Sequence, residues 1–67
     1  MYVIIEQQTA ADGSVAIPPV VSKADKNAAY SAYYQVLMAA AVSSVPLHSA
    51  TLLDSTGAAL EHKSFNH

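Results

Sequence analysis

The side chains of this chain that could do chemistry on a substrate or metal are few, and the histidines are the first to consider. There are three, His48, His62 and His67, and no HxH or HExxH pattern is present. A zinc site needs several ligands that converge with a defined geometry. The spacing of the histidines therefore predicts no metal site, and we expect no cofactor.

A nucleophilic triad is the second possibility, because Ser43 and Ser44 precede His48 and are followed by Asp54. A triad is defined by geometry and not by sequence order. No nucleophile elbow is present, since both glycines lie in predicted turns. A chain of 67 residues also has little room for a cleft that excludes water. We therefore predict that the protein is not an enzyme.

Non-covalent binding of a small nucleotide-like ligand is better supplied with candidate groups. Tyrosines can stack against a base, whereas hydroxyl, imidazole and ammonium groups can donate to phosphate. The candidate ligand-binding residues are Tyr30, Tyr34, Ser43, Ser44, His48, His62 and Lys63. Binding requires that they line a cavity between subunits, and a scattered, solvated arrangement would favour a structural role.

Composition excludes several classes of function. Only three Lys and no Arg are present, and the net charge is −2. Proteins that bind long nucleic acids neutralise many phosphates, so we expect no such partner. The start MYVIIEQQ has no signal-peptide pattern, and the apolar helix is shorter than the ~20 residues that a membrane span needs. We expect no membrane association and a cytoplasmic location.

The elements that must position these residues predict one domain over residues 1–67, in the order strand, strand, helix, strand, strand. Alternating and β-branched residues indicate strands, and Asp12-Gly13 and Gly57 indicate turns. Ser22 is the predicted N-cap of the helix, and Pro46 stops it. The predicted bounds are 2–9, 14–17, 48–53 and 58–65 for the strands and 23–43 for the helix.

A right-handed crossover through the helix would place the third strand beside the first. The predicted fold is therefore α+β: a four-stranded antiparallel sheet (ββαββ, spatial order 2-1-3-4) with one long helix packed on one face. One helix cannot cover four strands, so the other sheet face stays open to a partner.

The helix is apolar on more than one side between residues 28 and 42. Steps of 100° predict a core stripe formed by Ala29, Tyr33, Val36, Leu37 and Ala40. Tyr34, Met38 and Val42 lie away from that stripe, although a small domain usually buries one stripe only. A domain this small without cysteines also needs another source of stability. We therefore predict a homo-oligomer, a dimer or higher, with these three residues in the interface.

The chain also resembles short proteins without an assigned activity from gut bacteria of the Firmicutes type and their phages. The features that carry this resemblance are the MYVIIE start, the SSVPxH link and the aromatic-x-His end; the matching residues are Tyr34, Leu37, Ala39 to Ala41, Ser43 to Pro46, His48, Asp54, Gly57, Phe65 and His67. Gln35 stands where those proteins are expected to have histidine.

This resemblance implies a phage or mobile-element setting inside a bacterial host. The expected function is that of a small oligomeric binding protein, a counter-defence factor that sequesters a nucleotide-like signal or blocks a host protein. The alternative is a phage structural or assembly component without a ligand. A third hypothesis is a regulator that docks on nucleic-acid machinery without touching nucleic acid.

Overall fold

An antiparallel sheet of five strands carries one helix on one of its faces. The computed structural model describes all 67 residues. The elements, in chain order, are β1 (Tyr2–Thr9), β2 (Val15–Ala16), β3 (Val21–Lys23), α1 (Lys26–Ala41), β4 (Leu47–Leu53) and β5 (Ala59–Asn66). The α+β class, the single helix and the antiparallel sheet were predicted correctly from the sequence.

The number of strands was not predicted correctly. The main path of the sheet is β2-β1-β4-β5, and β3 pairs with β1 in addition. β4 occupies one edge of β1 along most of its length. Along the other edge, β3 pairs with the residues from Tyr2 to Ile4, and β2 pairs with Gln8 and Thr9. The sheet therefore has five strands instead of four, because the segment after the proline pair returns to β1.

The additional strand also corrects the start of the helix. Ser22 is not the N-cap, because it lies opposite Val3 in β3. The N-cap is Asp25, whose carboxylate accepts a hydrogen bond from the Ala28 N–H at 2.9 Å. Ser22 and Asp25 are both good N-caps by type. The pairing of Ser22 with β1 leaves Asp25 as the residue that caps the helix. The helix ends at Ala41, two residues before the predicted end.

Two similar turns close the two hairpins of the sheet, one between β1 and β2 and the other between β4 and β5. Gly13 and Gly57 adopt φ values of 88° and 87°, which an L side chain rarely adopts. Asp12 accepts hydrogen bonds from Ser14, and Asp54 accepts them from Thr56 and Ala58. Hydrogen bonds from the Ser14 and Thr56 side chains are the main cause that lowers the pKa of Asp12 and Asp54, respectively.

The core lies between α1 and the two central strands. Its buried members are Ile4 from β1, Ala29 and Tyr33 from α1, and Ala50 and Leu52 from β4. Val36 and Leu37 pack against this cluster, and Ala40 is buried near the end of the helix. The structure thus confirms the predicted core stripe of the helix. No helix of the protein is long and apolar enough to cross a membrane.

Candidate functional site

One histidine of the candidate binding set is buried under the helix. His48 is 4 % exposed and lies in β4 on the same sheet face as Ala50 and Leu52. Its Nε2 is hydrogen-bonded to Oε2 of Glu6, and the same oxygen accepts a hydrogen bond from Gln8 Nε2 at 3.0 Å. The Nδ1 atom of His48 is buried and has no partner. The side chain of His48 therefore links β4 to β1 through Glu6 and is not in contact with solvent.

The sequence contained a signal for this pairing that the candidate set missed. Strand alternation already placed Glu6 on the same face as Ile4, and His48 alternates in phase with Leu52. Antiparallel register then brings the two polar residues close together, because Gln8 lies opposite His48 and Glu6 opposite Ala50. A buried polar side chain requires a partner, and Glu6 is the partner that His48 finds.

His62 and Lys63 do not point to the same side of the sheet. Both are exposed residues of β5, but neighbouring residues of a strand face opposite ways. His62 lies opposite Thr51, and the distance between His62 Nδ1 and Thr51 Oγ1 is 2.8 Å. Lys63 lies opposite the buried Ala50, and its Nζ is 5.5 Å from the centre of the Phe65 ring. Within one chain these two candidate phosphate donors cannot act on one ligand group.

The serines and the aspartate of the hypothetical triad are also separated. Ser43 Oγ accepts a hydrogen bond from the Val45 N–H at 3.0 Å, and Ser44 is exposed. Asp54 lies in the turn after β4 and is bonded to Thr56 and Ala58. Asp54 is also six residues from His48 along the chain, about 20 Å at the usual rise per residue of a strand. The structure therefore does not bring the residues of the hypothetical triad together.

The tyrosines of α1 form the one aromatic grouping of the candidate set. The rings of Tyr30 and Tyr34 are 6.2 Å apart with an interplanar angle of 49°, and those of Tyr33 and Tyr34 are 5.6 Å apart. Tyr30 is half-buried, and Tyr34 is 54 % exposed. Burial, with the Glu61 carboxylate as a second cause, raises the pKa of Tyr33 above its ordinary value of 10.0. The protonated phenol is thereby favoured at the core, whereas Tyr34 presents its ring to solvent.

The three predicted interface residues share an exposed face of the helix, which we call the outer face of α1. Tyr34, Met38 and Val42 are 54 %, 69 % and 86 % exposed. They are spaced by four residues and therefore lie along one side of the helix axis; Val42 itself is the C-cap. This is the largest row of exposed apolar side chains on a single element of the protein.

The end of the chain lies against the end of the helix. His67 Nε2 is 2.9 Å from the carbonyl oxygen of Ala40, and the His67 N–H donates to the Pro46 carbonyl at 2.7 Å. The imidazole also stacks on Phe65 with ring centroids 6.2 Å apart. The same carbonyl already accepts a hydrogen bond from the Ser43 N–H at 3.2 Å, so the imidazole adds a further contact at the end of the helix. The sequence did not indicate this structural contact of His67.

The described surface contains no pocket, and no group of three His, Cys, Asp or Glu side chains could hold a metal ion. The surfaces on which a partner could act are therefore open: the outer face of α1, the uncovered sheet face and the edge of β5. Comparison of the chain with protein-family models, with curated proteins and with solved structures gave no match.

Proposed function

We propose that this chain is a non-enzymatic binding protein that works as a homo-oligomer, assembled through the outer face of α1. The observation that carries the proposal is the row Tyr34, Met38 and Val42, which is apolar and exposed in the isolated chain. Exposed apolar patches of this kind mark interaction sites in soluble proteins. A second copy of the same face is the partner that is always present at the concentration of the protein itself.

The molecule that the oligomer binds is, in this proposal, another protein. Because the second copy covers the outer face of α1 in this assembly, the surface left for that protein is the sheet face opposite the helix. The candidate phosphate donors point away from one another, so a nucleotide-like ligand would need groups from two subunits. Together with the resemblance to phage-type proteins, this favours a counter-defence factor that blocks a host protein over one that sequesters a signal.

Light scattering tests the assembly. The wild-type protein should have a mass at least twice that of the 7.0 kDa chain. Met38→Glu should lower this mass, because a charge buried in an apolar contact is strongly unfavourable. Ser31→Glu adds the same charge to an exposed residue of the same helix and should retain the assembly. A wild-type monomer at every concentration would contradict the proposal.

A thermal-shift panel separates the two kinds of ligand. Cyclic dinucleotides and ADP-ribose-type nucleotides should leave the melting temperature unchanged if the partner is a protein. A rise of several degrees, lost in Lys63→Ala, would instead assign the nucleotide-sequestering function, since a ligand of the folded state stabilises it. An oligomer that binds neither nucleotides nor a host protein would favour the structural or assembly role.

A further inference from the structure

The two edges of the sheet are finished in different ways. On one side, β2 and β3 cover the edge of β1, and Pro18 and Pro19 lie between them. On the other side the sheet ends at β5, an eight-residue strand that pairs only with β4. An edge strand of this length presents a row of unpaired backbone N–H and C=O groups, to which another strand can add.

The side chains of β5 carry two opposite charges that form no salt bridge within the chain. Glu61 and Lys63 are two residues apart, so they lie on the same face of the strand, and both are exposed. Neither side chain forms a salt bridge, and the one close carboxylate–imidazole contact of the structure joins Glu6 and His48. Lys63 instead lies over the Phe65 ring. Both charges of β5 are therefore available to a neighbouring strand.

We propose that β5 pairs antiparallel with β5 of a second copy of this chain, about a twofold axis that lies between His62 and His62 of the second copy. In this register Glu61 lies opposite Lys63 of the second copy, and Lys63 lies opposite Glu61. Two cross-strand pairs of opposite charge result, and each such pair stabilises an antiparallel sheet. The sequence around the axis is thus complementary to itself, which is what an isologous contact requires.

Neighbouring registers lack this complementarity. Side chains that lie directly opposite each other must point to the same face, so the register can change only in steps of two residues. A slip of one strand by two residues moves the axis by one residue, to Glu61 or to Lys63. Either slip places two like charges directly opposite each other, which is destabilising. The ladder with β4 is regular from Glu61 to Asn66. Its irregularity lies at Leu60, which has no partner in β4. The charged residues therefore lie on the part of β5 with regular strand geometry.

The contact is compatible with the assembly proposed above and does not depend on it. An axis perpendicular to the sheet places both α1 helices on the same side of one continuous sheet. Tyr34, Met38 and Val42 take no part in the β5 contact, so their outer face stays free for the other contact. If both contacts form, dimers joined through β5 associate further through α1.

Charge reversal tests the register, and it is best measured in the Met38→Glu background, where only the β5 contact should remain. Sedimentation equilibrium from micromolar to submillimolar concentrations should show a dimer. Glu61→Lys and Lys63→Glu should each weaken it by roughly tenfold, because two attractive pairs become repulsive. The double exchange Glu61→Lys with Lys63→Glu should restore the affinity, and a mixture of the two single variants should form the heterodimer in preference to either homodimer.

A cysteine pair gives a second measurement that needs no strong association. The chain has no cysteine, and the register places position 62 directly opposite itself across the axis. His62→Cys should form a disulfide-linked dimer under mild oxidation, because the Cβ atoms of directly opposite residues lie about 5 Å apart. Ser64→Cys, on the same face of β5 but opposite position 60, is the matched control and should link far more slowly.

Three results would overturn the proposal. The first is a Met38→Glu protein that stays monomeric throughout and whose His62→Cys form does not crosslink. The second is a dimer whose affinity the charge reversals leave unchanged. The third is crosslinking of Ser64→Cys that equals or exceeds that of His62→Cys. Circular dichroism of each variant confirms that a lost contact does not come from unfolding.

Discussion

Tyr33 and Tyr34 are neighbours in the chain and in space, yet the fold uses them in opposite ways. Tyr33 is 2 % exposed and belongs to the core, whereas Tyr34 is 54 % exposed on the outer face of α1. Their rings remain 5.6 Å apart. One step of 100° around the helix separates a residue that holds the helix to the sheet from one that is free to meet a partner.

This difference teaches that apolar character alone does not define the inside of so small a protein. Only seven of the 67 residues are buried, so there is not enough interior for all apolar side chains of the helix. The side of α1 that faces the sheet determines stability, and the outer face is left for assembly. Variants of the two sides should therefore affect different measurements.

The largest effect is expected at the inner side. Tyr33→Ala should lower the free energy of unfolding by about 3–5 kcal/mol, as for other aromatic-to-alanine changes in a core. The total stability expected for a domain of this size is of the same order, so the variant should be largely unfolded at room temperature. Urea denaturation followed by circular dichroism measures this. A loss below that of Tyr34→Ala would show that the assignment of the two helix sides is wrong.

The second effect concerns the polar part of the inner side. Glu6→Ala should lower the free energy of unfolding by about 1–3 kcal/mol, because His48 Nε2 would be left buried without a partner. Gln7→Ala is the matched control, since Gln7 is the exposed neighbour on the opposite sheet face. Chemical denaturation of both variants makes the comparison. Equal stabilities would mean that solvent reaches His48 readily.

A smaller change in stability, with a larger change in assembly, is expected at the outer face. Tyr34→Ala should alter the free energy of unfolding of the single chain by about 0.5 kcal/mol or less, as is usual for surface positions. It should nevertheless reduce the mass measured by light scattering, because it removes the aromatic ring of the proposed contact. Unfolding as severe as that of Tyr33→Ala would contradict the division between the two sides.

The smallest effect is a dependence on alkaline pH. The pKa of Tyr33 is raised in the folded state, mainly by burial, so the unfolded chain loses this proton first. Its contribution to stability is full below pH 10.0 and is lost as the pH rises through the higher folded pKa. Tyr33→Phe should therefore show a shallower fall of melting temperature above that pH. Identical alkaline profiles for the two proteins would remove Tyr33 from this role.

Elements with strong local signals were predicted well from the sequence. The bounds of β1 agree with the predicted bounds, because alternation, β-branched residues and a following Asp-Gly turn all agree. The stripe Ala29, Tyr33 and Ala40 is buried as expected, because helical periodicity depends only on the spacing of residues.

Features that depend on contacts between distant segments could not be predicted. Two residues of β3, Ser22 and Lys23, look like the start of a helix on their own and become part of a strand only because β1 is beside them. His48 was chosen as a ligand donor for its chemistry, although its burial follows from the packing of α1 over β4. His62 and Lys63 are adjacent in sequence, and the same alternation that makes them part of a strand separates them in space.

The pairing of β1 with β4 also has a consequence for how the chain acquires its structure. Val3 lies opposite Leu53, 50 positions further along the chain, whereas the β4–β5 hairpin is closed by a short turn. Contacts of such long separation must overcome the entropy of closing a large loop before they gain any stabilisation. We therefore expect the hairpin and the helix to form early and the docking of β1 to limit the folding rate. Until that step is complete, the edge of β4 that β1 will cover is exposed to other chains.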